Sequence, residues 1–144
     1  MLLDPIADPE GVTAADLYDE YLDALAAEVA SMGVETAVER TGLDADALES
    51  LVDGDRPALS LDDACTILGA TADWPDAESV KLEVRDSLML GMSSAILDVD
   101  GLERELDLDL DAKMLQQKIE GRRPMTLREY AAVALVIERE NDFA

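Results

Sequence analysis

Apolar residues recur at helical spacing along most of the chain. Residues three or four positions apart lie on one face of a helix, so such spacing predicts a buried stripe. The first stripe comprises Leu17, Tyr21, Leu22, Leu25 and Val29. Thr13 and Asp16 precede it with capping-box spacing, and Gly33 follows it. We therefore predict a long amphipathic helix that begins after Thr13 and ends at Gly33.

The same pattern returns 67 residues later. The second stripe comprises Val84, Leu88, Met89, Met92 and Ile96. The segments 43–57 and 110–124 share Leu, Asp, Ala, Leu, Gly, Arg and Pro at the same offset, and capping boxes start at both Ser60 and Thr126. We predict an all-α fold, a compact helical domain over 1–144 made of two tandem helix-turn-helix-like repeats, residues 12–73 and 76–144, with Trp74-Pro75 as the break.

Turn residues and apolar runs add detail to this architecture. Gly54 and Gly121 stand where a helix needs a left-handed residue after its last turn. The stretches 88–97 and 130–137 are apolar on every side, which is typical of helices buried all round. We expect these two helices to pack against each other at the centre, with a homodimer seam as the alternative. The alternating segment 106–111 has no partner strand and is expected to be an irregular lead-in to a helix.

The amino-acid composition excludes several kinds of catalytic and metal site. The chain has 144 residues, 34 acidic and 11 basic, for a formal charge of −23. It contains no His and a single Cys, Cys65, which excludes His-dependent triads, zinc sites built on several Cys or His, and an internal disulfide. We expect Cys65 to be a buried structural thiol. The N-terminus lacks the features of a signal peptide and no apolar run could span a bilayer, so we expect a cytoplasmic protein without a membrane contact.

Part of the first copy resembles a helix-turn-helix of the repressor type found in bacterial and phage regulators. Val38, Gly42 and Leu48 occupy the positions of the small or apolar residue, the turn glycine and the apolar anchor. In the second copy the match is weaker, because Asp109 stands in place of the turn glycine and Glu105 or Leu106 in place of the first residue. The resemblance implies a multi-helix fold, with a distorted turn expected in the second copy.

The whole chain also resembles a family of small uncharacterised haloarchaeal proteins, a domain of unknown function. The segments 16–25 and 121–127 carry this resemblance. It implies no known activity, but it agrees with the composition, because abundant surface carboxylates keep a protein hydrated in molar salt, where charge repulsion is screened. An acidic surface that mimics nucleic acid, or that binds basic partners, is the alternative.

The basic residues are unevenly placed. Residues 1–72 contain 17 acidic and 2 basic residues, whereas 73–144 contain 17 and 9. In the first copy, the helix that would enter a DNA groove carries Asp44, Asp46, Glu49 and Asp53, which repel phosphate. The corresponding part of the second copy provides the candidate nucleic-acid or partner contacts, Lys113, Gln116, Gln117, Lys118, Arg122, Arg123 and Arg128.

These residue types suit recognition of bases in a DNA groove, because Gln can form hydrogen bonds to adenine and Arg or Lys to guanine or phosphate. Alternatively, they pair with carboxylates of the neighbouring half and orient two surfaces. We predict a non-enzymatic regulatory or adaptor protein of a halophilic archaeon that acts through protein–protein interaction by its helix-turn-helix-like units. We expect a protein partner or self-association, with no cofactor, metal or evident small-molecule substrate. A DNA-binding transcriptional regulator that uses Lys113 to Arg128 is the alternative.

Overall fold

The computed structural model describes residues 2–72, 74 and 76–142, without the side chain of residue 142. Within this part of the chain there are eight helices and no strand longer than a single bridge. In order they are α1 (Ala14–Met32), α2 (Val34–Thr41), α3 (Ala45–Val52), α4 (Leu61–Gly69), α5 (Ala77–Ser94), α6 (Val99–Glu105), α7 (Ala112–Ile119) and α8 (Leu127–Asp142). The predicted all-α fold is therefore confirmed.

Capping residues and glycines in the sequence predicted most of the helix ends correctly. Thr13 and Ser60 cap α1 and α4 through reciprocal capping boxes with the residues three positions on. Thr126 and Glu129 make the same pair of hydrogen bonds at the start of α8, at 2.9 and 3.0 Å. Gly54 and Gly121 follow α3 and α7 with φ of +88° and +81°. These predictions are confirmed, since each depends only on residues within one turn.

The hydrophobic core is one continuous cluster that draws buried side chains from both halves of the sequence. Helix α8 packs on α1 and α5, while α4 packs mainly on α5. The stripe predicted for α1 is buried throughout, and Leu25 and Val29 are fully inaccessible. The run 130–137 of α8 is buried on almost all sides, as predicted.

The starts of α4 and α8 lie side by side in an antiparallel bridge between Ser60 and Thr126. The Leu61 amide donates to the Met125 carbonyl at 2.8 Å, and the Leu127 amide donates to the Leu59 carbonyl at 2.9 Å. The two hydrogen bonds are reciprocal, as a local twofold axis between these segments would require. The bridge fixes α4 and α8 relative to each other.

The run 88–97 is not buried all round, so that prediction is wrong. Leu88 is buried, but Met89, Leu90 and Ile96 are exposed. Helix α5 does contact α8, where Gly91 lies against Ile137. The chain returns to the core after α5, where Leu97 packs against it and Leu102 is fully buried, so Leu90 and Ile96 are left on the outer side.

Two other connecting segments were also predicted from the sequence. Residues 106–111 form no strand and lead irregularly into α7, as expected. Trp74 is half-buried against the core, whereas Pro75, the other residue of the predicted break, lies outside the described residues, as does Asp73. A membrane-spanning helix is not found in the part of the chain that the structure describes.

Candidate protein interaction surface

The most unusual surface of the protein is the exposed apolar side of α5. Leu82, Met89, Leu90 and Ile96 are 64%, 43%, 69% and 92% exposed. In the sequence alignment of the two halves, Met89 and Ile96 correspond to Leu22 and Val29, which are 1% and 0% exposed. The apolar stripe is therefore buried throughout in α1, whereas its copy in the second half buries Val84 and Leu88 but exposes Met89 and Ile96.

The backbone at the end of α5 explains why Ile96 is so exposed. The Leu97 amide donates to the Met92 carbonyl at 2.9 Å and the Ile96 amide to the Ser93 carbonyl at 3.2 Å, which together form a Schellman motif. Such a motif needs a left-handed residue, and Ile96 supplies it with φ of +53°. A branched side chain in this conformation costs about 1–2 kcal/mol.

Ile96 stands at one edge of a concavity that we call the α5–α7 groove. The groove has a volume of about 510 Å³ and lies between the end of α5, the start of α6 and the end of α7. Its apolar lining consists of Met89, Met92, Ile96, Leu97, Val99 and Ile119. Ser93, Asp98, Gln116 and Glu120 add polar atoms. The groove is thus apolar with acidic residues in its lining.

Both carboxylates of the α5–α7 groove are held in place. Asp98 caps α6 by accepting a hydrogen bond from the Gly101 amide at 2.7 Å. Glu120 accepts hydrogen bonds from Gln116 at 3.0 Å and Arg122 at 2.8 Å, and these bonds lower the pKa of Glu120. Arg122 balances the charge of Glu120, whereas Asp98 keeps a negative charge at the start of α6 that no basic side chain among the described residues pairs with.

The predicted basic segment is only partly available for contact with another molecule. Lys118 is largely buried, and its Nζ lies 2.8 Å from both carboxylate oxygens of Glu129. One of these oxygens also accepts the Thr126 amide at the start of α8. Lys118 thus neutralises a carboxylate that caps α8, and it joins α7 to α8.

The other candidate contacts have different surroundings. The Arg128 guanidinium lies 5.1 Å from the centre of the Tyr18 ring, so it bridges the two halves of the chain. Arg122 pairs with Glu120, and Arg123 donates to the Gln117 side chain. Lys113 is exposed and has no side-chain partner among the described residues.

The expected pairing between halves is made by other residues. The two ion pairs formed by members of the basic segment lie within the second half, Lys118 with Glu129 and Arg122 with Glu120. Arg85 of α5 instead reaches Asp62 of α4 at 3.2 Å. Lys118 and Arg122 therefore stabilise their own copy, while Arg128 of the basic segment and Arg85 of α5 link the two halves.

We expect Lys118→Met to lower the free energy of unfolding by about 1–2 kcal/mol, because Glu129 would keep its charge in a largely buried place without its partner. Lys113→Met is the matched control, since it removes one positive charge from an exposed position on the same helix. Urea unfolding followed by circular dichroism measures both values. Equal stability of the two variants would contradict a structural role for Lys118.

A family model matches residues 17–140, which include α2 to α7 complete, all but the ends of α1 and α8, and the whole α5–α7 groove. The chain belongs to the family of unknown function DUF5791. No curated protein and no solved structure matches it significantly. The DUF5791 assignment confirms the resemblance to a family of unknown function, and it supplies neither an activity nor a residue role.

The first half of this DUF5791 chain presents acids where the second half presents the basic segment. Asp44, Asp46, Glu49 and Asp53 are all exposed on or beside α3. Arg56 lies 3.5 Å from Asp19 and 3.4 Å from Asp23 of α1. The exposed carboxylates on this face agree with the prediction that it repels phosphate, which stays a prediction.

The helix-turn-helix resemblance involves α2 and α3. Gly42 follows α2 with φ of +70°, which suits a turn glycine, and Leu48 of α3 is fully buried. The fully buried small residue of α2 is Ala37, however, while Val38 is half-buried. In the second half α6 ends at Glu105, and Asp109 lies in the irregular segment before α7.

The reactive side chains of this DUF5791 member are buried. Burial raises the pKa of Cys65 to about 11, and nearby Asp62 adds to the rise, so the thiol stays protonated at neutral pH. Burial also raises the pKa of Tyr130, whose hydroxyl donates to the Leu2 carbonyl at 2.7 Å. The predicted structural thiol is confirmed as buried. These groups stabilise the core and are poorly placed for nucleophilic chemistry.

Sequence reasoning missed the α5–α7 groove. It placed Met89 and Ile96 in a buried stripe because their spacing equals that of Leu22 and Val29. One feature of the sequence could have indicated that Ile96 is not part of a buried stripe. No glycine stands between Met92 and Val99, so a Schellman stop there had to put a residue with a side chain in the left-handed conformation.

Proposed function

We propose that the chain is a non-enzymatic regulatory or adaptor protein that binds another protein through the α5–α7 groove. The observation that carries this proposal is the exposure of Met89 and Ile96, at 43% and 92%, where the alignment of the halves predicts core positions. Both side chains line the α5–α7 groove, and an exposed apolar concavity is typical of interaction sites. A polar substitution at such positions would cost little stability, so their apolar character serves a contact.

The helix-turn-helix-like units are proposed to act as scaffolds for this contact. Helix α7, which corresponds in sequence to the groove-reading helix of such a motif, contributes Ile119 and Gln116 to the α5–α7 groove. Helix α3, its counterpart in the first half, carries exposed carboxylates and no such groove. The second unit is therefore the better candidate for partner binding.

The −23 charge supports a proposed location in a salt-rich cytoplasm of a halophilic archaeon. Most of the carboxylates are exposed, and the few basic residues are mainly engaged in ion pairs or hydrogen bonds with neighbours. Such a surface is strongly hydrated and self-repelling in dilute buffer, whereas molar salt screens the repulsion.

Affinity capture from salt-grown cells tests the proposal. The tagged wild-type chain, Met89→Glu and Leu82→Glu are compared in 2 M KCl, each with and without nuclease. We expect wild type and Leu82→Glu to retain the same proteins with or without nuclease, and Met89→Glu to lose them. Leu82 is the matched control because it is an exposed apolar residue of α5 outside the α5–α7 groove. The proposal is wrong if the captured proteins are lost on nuclease treatment and are retained by Met89→Glu.

DNA binding is the second candidate, and the exposure of Lys113, Arg122 and Arg123 favours it. We test it by fluorescence anisotropy with duplex DNA, comparing the triple Ala variant of these residues with a triple Ala variant of Arg40, Arg56 and Arg104. Both variants lose three positive charges from exposed positions. Lys118 is left intact because its loss would perturb α8.

If the second unit binds DNA, only the first variant loses affinity for it. The slope of log affinity against log salt concentration then becomes shallower for this variant, by the equivalent of up to about three phosphate contacts. We expect instead equal and weak binding by all three proteins, since the net charge opposes phosphate. A selective loss in the first variant would support the DNA-binding alternative.

A further inference from the structure

Resting on the proposed function, we propose that the α5–α7 groove binds a short amphipathic helix of a partner protein, with basic residues beside its apolar anchors. Ile96 is the central contact on this chain. The proposal thus specifies the chemistry of the partner, and four observations support it.

The first observation is the position of Ile96. The Schellman motifs after α3 and α7 use Gly54 and Gly121 for the left-handed position, which is the usual solution. After α5 the chain uses a branched apolar residue that is 92% exposed. Its side chain gains almost no packing within the chain, yet the motif holds it at a fixed place. Backbone strain of this kind concentrates at functional sites.

The second observation is the lining of the α5–α7 groove. Met89 and Met92 provide flexible, polarizable side chains that adapt to apolar partners. Val99 and Ile119 add branched side chains. A volume of about 510 Å³ accommodates a few apolar anchors, as one face of a short helix supplies.

The third observation is secondary structure. The α5–α7 groove is bounded by helices, and the described residues offer no exposed strand edge beside it for an extended peptide to join. Strand addition needs such an edge, whereas an amphipathic helix needs an apolar groove. The arrangement therefore favours a helical partner.

The fourth observation is charge. Among the described residues, the lining contains Asp98 and an Arg122-paired Glu120 and no basic residue, and the chain as a whole carries −23. Complementary charge favours binding and suppresses wrong partners. A second copy of this chain brings the same negative charge, whereas a basic helix brings the opposite charge. The occupant is accordingly a basic segment of another protein.

Three labelled peptides of 16 residues test the inference by fluorescence anisotropy. The first is an amphipathic helix of Leu and Lys. The second has the same Lys residues with Ser in place of Leu, and the third has the same Leu residues with Glu in place of Lys. Each is titrated with wild type, Ile96→Asn and Leu82→Asn in 0.2 M and 2 M KCl.

We expect the Leu and Lys peptide to bind wild type and Leu82→Asn equally, and Ile96→Asn at least tenfold more weakly. In 0.2 M KCl the other two peptides should bind wild type at least tenfold more weakly than the first, whereas 2 M KCl screens charge and reduces the difference for the Leu and Glu peptide. Asn tolerates the left-handed conformation, so Ile96→Asn should also raise Tm by about 3–6 °C, which excludes unfolding as the cause of lost binding. Equal affinity of wild type and Ile96→Asn for the first peptide would overturn the inference, as would equal binding of the Lys and Ser peptide.

Two further outcomes separate this inference from the proposed function. If cellular capture depends on Met89 but the Leu and Lys peptide does not bind, a partner of different chemistry occupies the groove and only the inference fails. If sedimentation shows a dimer in 2 M KCl that Ile96→Asn dissociates, the occupant is a second copy and the inference is wrong. If neither capture nor peptide binding depends on the groove, both proposals fail.

Discussion

Replacing Leu25 by alanine is expected to lower the free energy of unfolding by about 2–5 kcal/mol. Leu25 is fully inaccessible in α1, the helix that packs against α2, α3, α4 and α8. Removing its isobutyl group leaves a cavity that the surrounding helices cannot fill, since they contact α1 from several sides. Urea unfolding in 2 M KCl, followed by circular dichroism, measures the loss.

The same experiment with Leu115→Ala shows whether the halves unfold together. Leu115 is also fully inaccessible, but it belongs to α7 in the second half. Because the buried residues form one cluster across both halves, we expect a single transition and a similar loss for each variant. Two separate transitions, each sensitive to only one of the variants, would show that the halves are independent domains.

Gly69→Ala is expected to lower the free energy of unfolding by about 2–3 kcal/mol, although it adds only one methyl group. A Cβ at position 69 would overlap the Ala77 backbone nitrogen and lie 2.6 Å from the Ala77 Cα. These are backbone atoms, so no side-chain rotation can relieve the clash. Either α4 or the start of α5 has to move, and that displacement disturbs the packing between the two halves.

Gly101→Ala is the matched control, since Gly101 also lies in a helix without a positive φ. Its added methyl would lie 3.1 Å from Leu97 Cδ1 and 3.2 Å from Asp98 Oδ1, which are side-chain atoms that need to shift by only a few tenths of an ångström. Alanine is also the better helix former, so we expect a change within about 1 kcal/mol. Thermal and urea unfolding of the two variants give the comparison, and equal stability would refute the close approach of α4 and α5.

The sequence predicted features that depend on a few neighbouring residues. The capping boxes at Thr13, Ser60 and Thr126 need only two residues three positions apart, and both partners are visible in the sequence. The left-handed glycines after α3 and α7 are similarly local, because glycine adopts positive φ without a steric penalty. Local interactions of this kind do not depend on how the helices later pack.

The candidate site could not be predicted in the same way. Apolar spacing shows which residues share a face of a helix, but it does not show whether another helix covers that face. Val29 is covered because α1 continues to Met32 inside the bundle, whereas Ile96 is exposed because α5 stops at Ser94. Likewise, the charge of Lys118 was evident, but its pairing with Glu129 of α8 depends on the approach of two helices.

By itself the sequence determined an all-helical chain, the positions of its main caps and stops, a strong negative charge concentrated in the first half, and a basic segment near Lys113 to Arg128. Only the tertiary structure decided which apolar residues are core and which are surface, and which basic residues are engaged. The physical reason is that caps and charge belong to short segments, while burial and pairing are properties of the space between helices. That space is filled around α1 and α8, and it remains open at the α5–α7 groove.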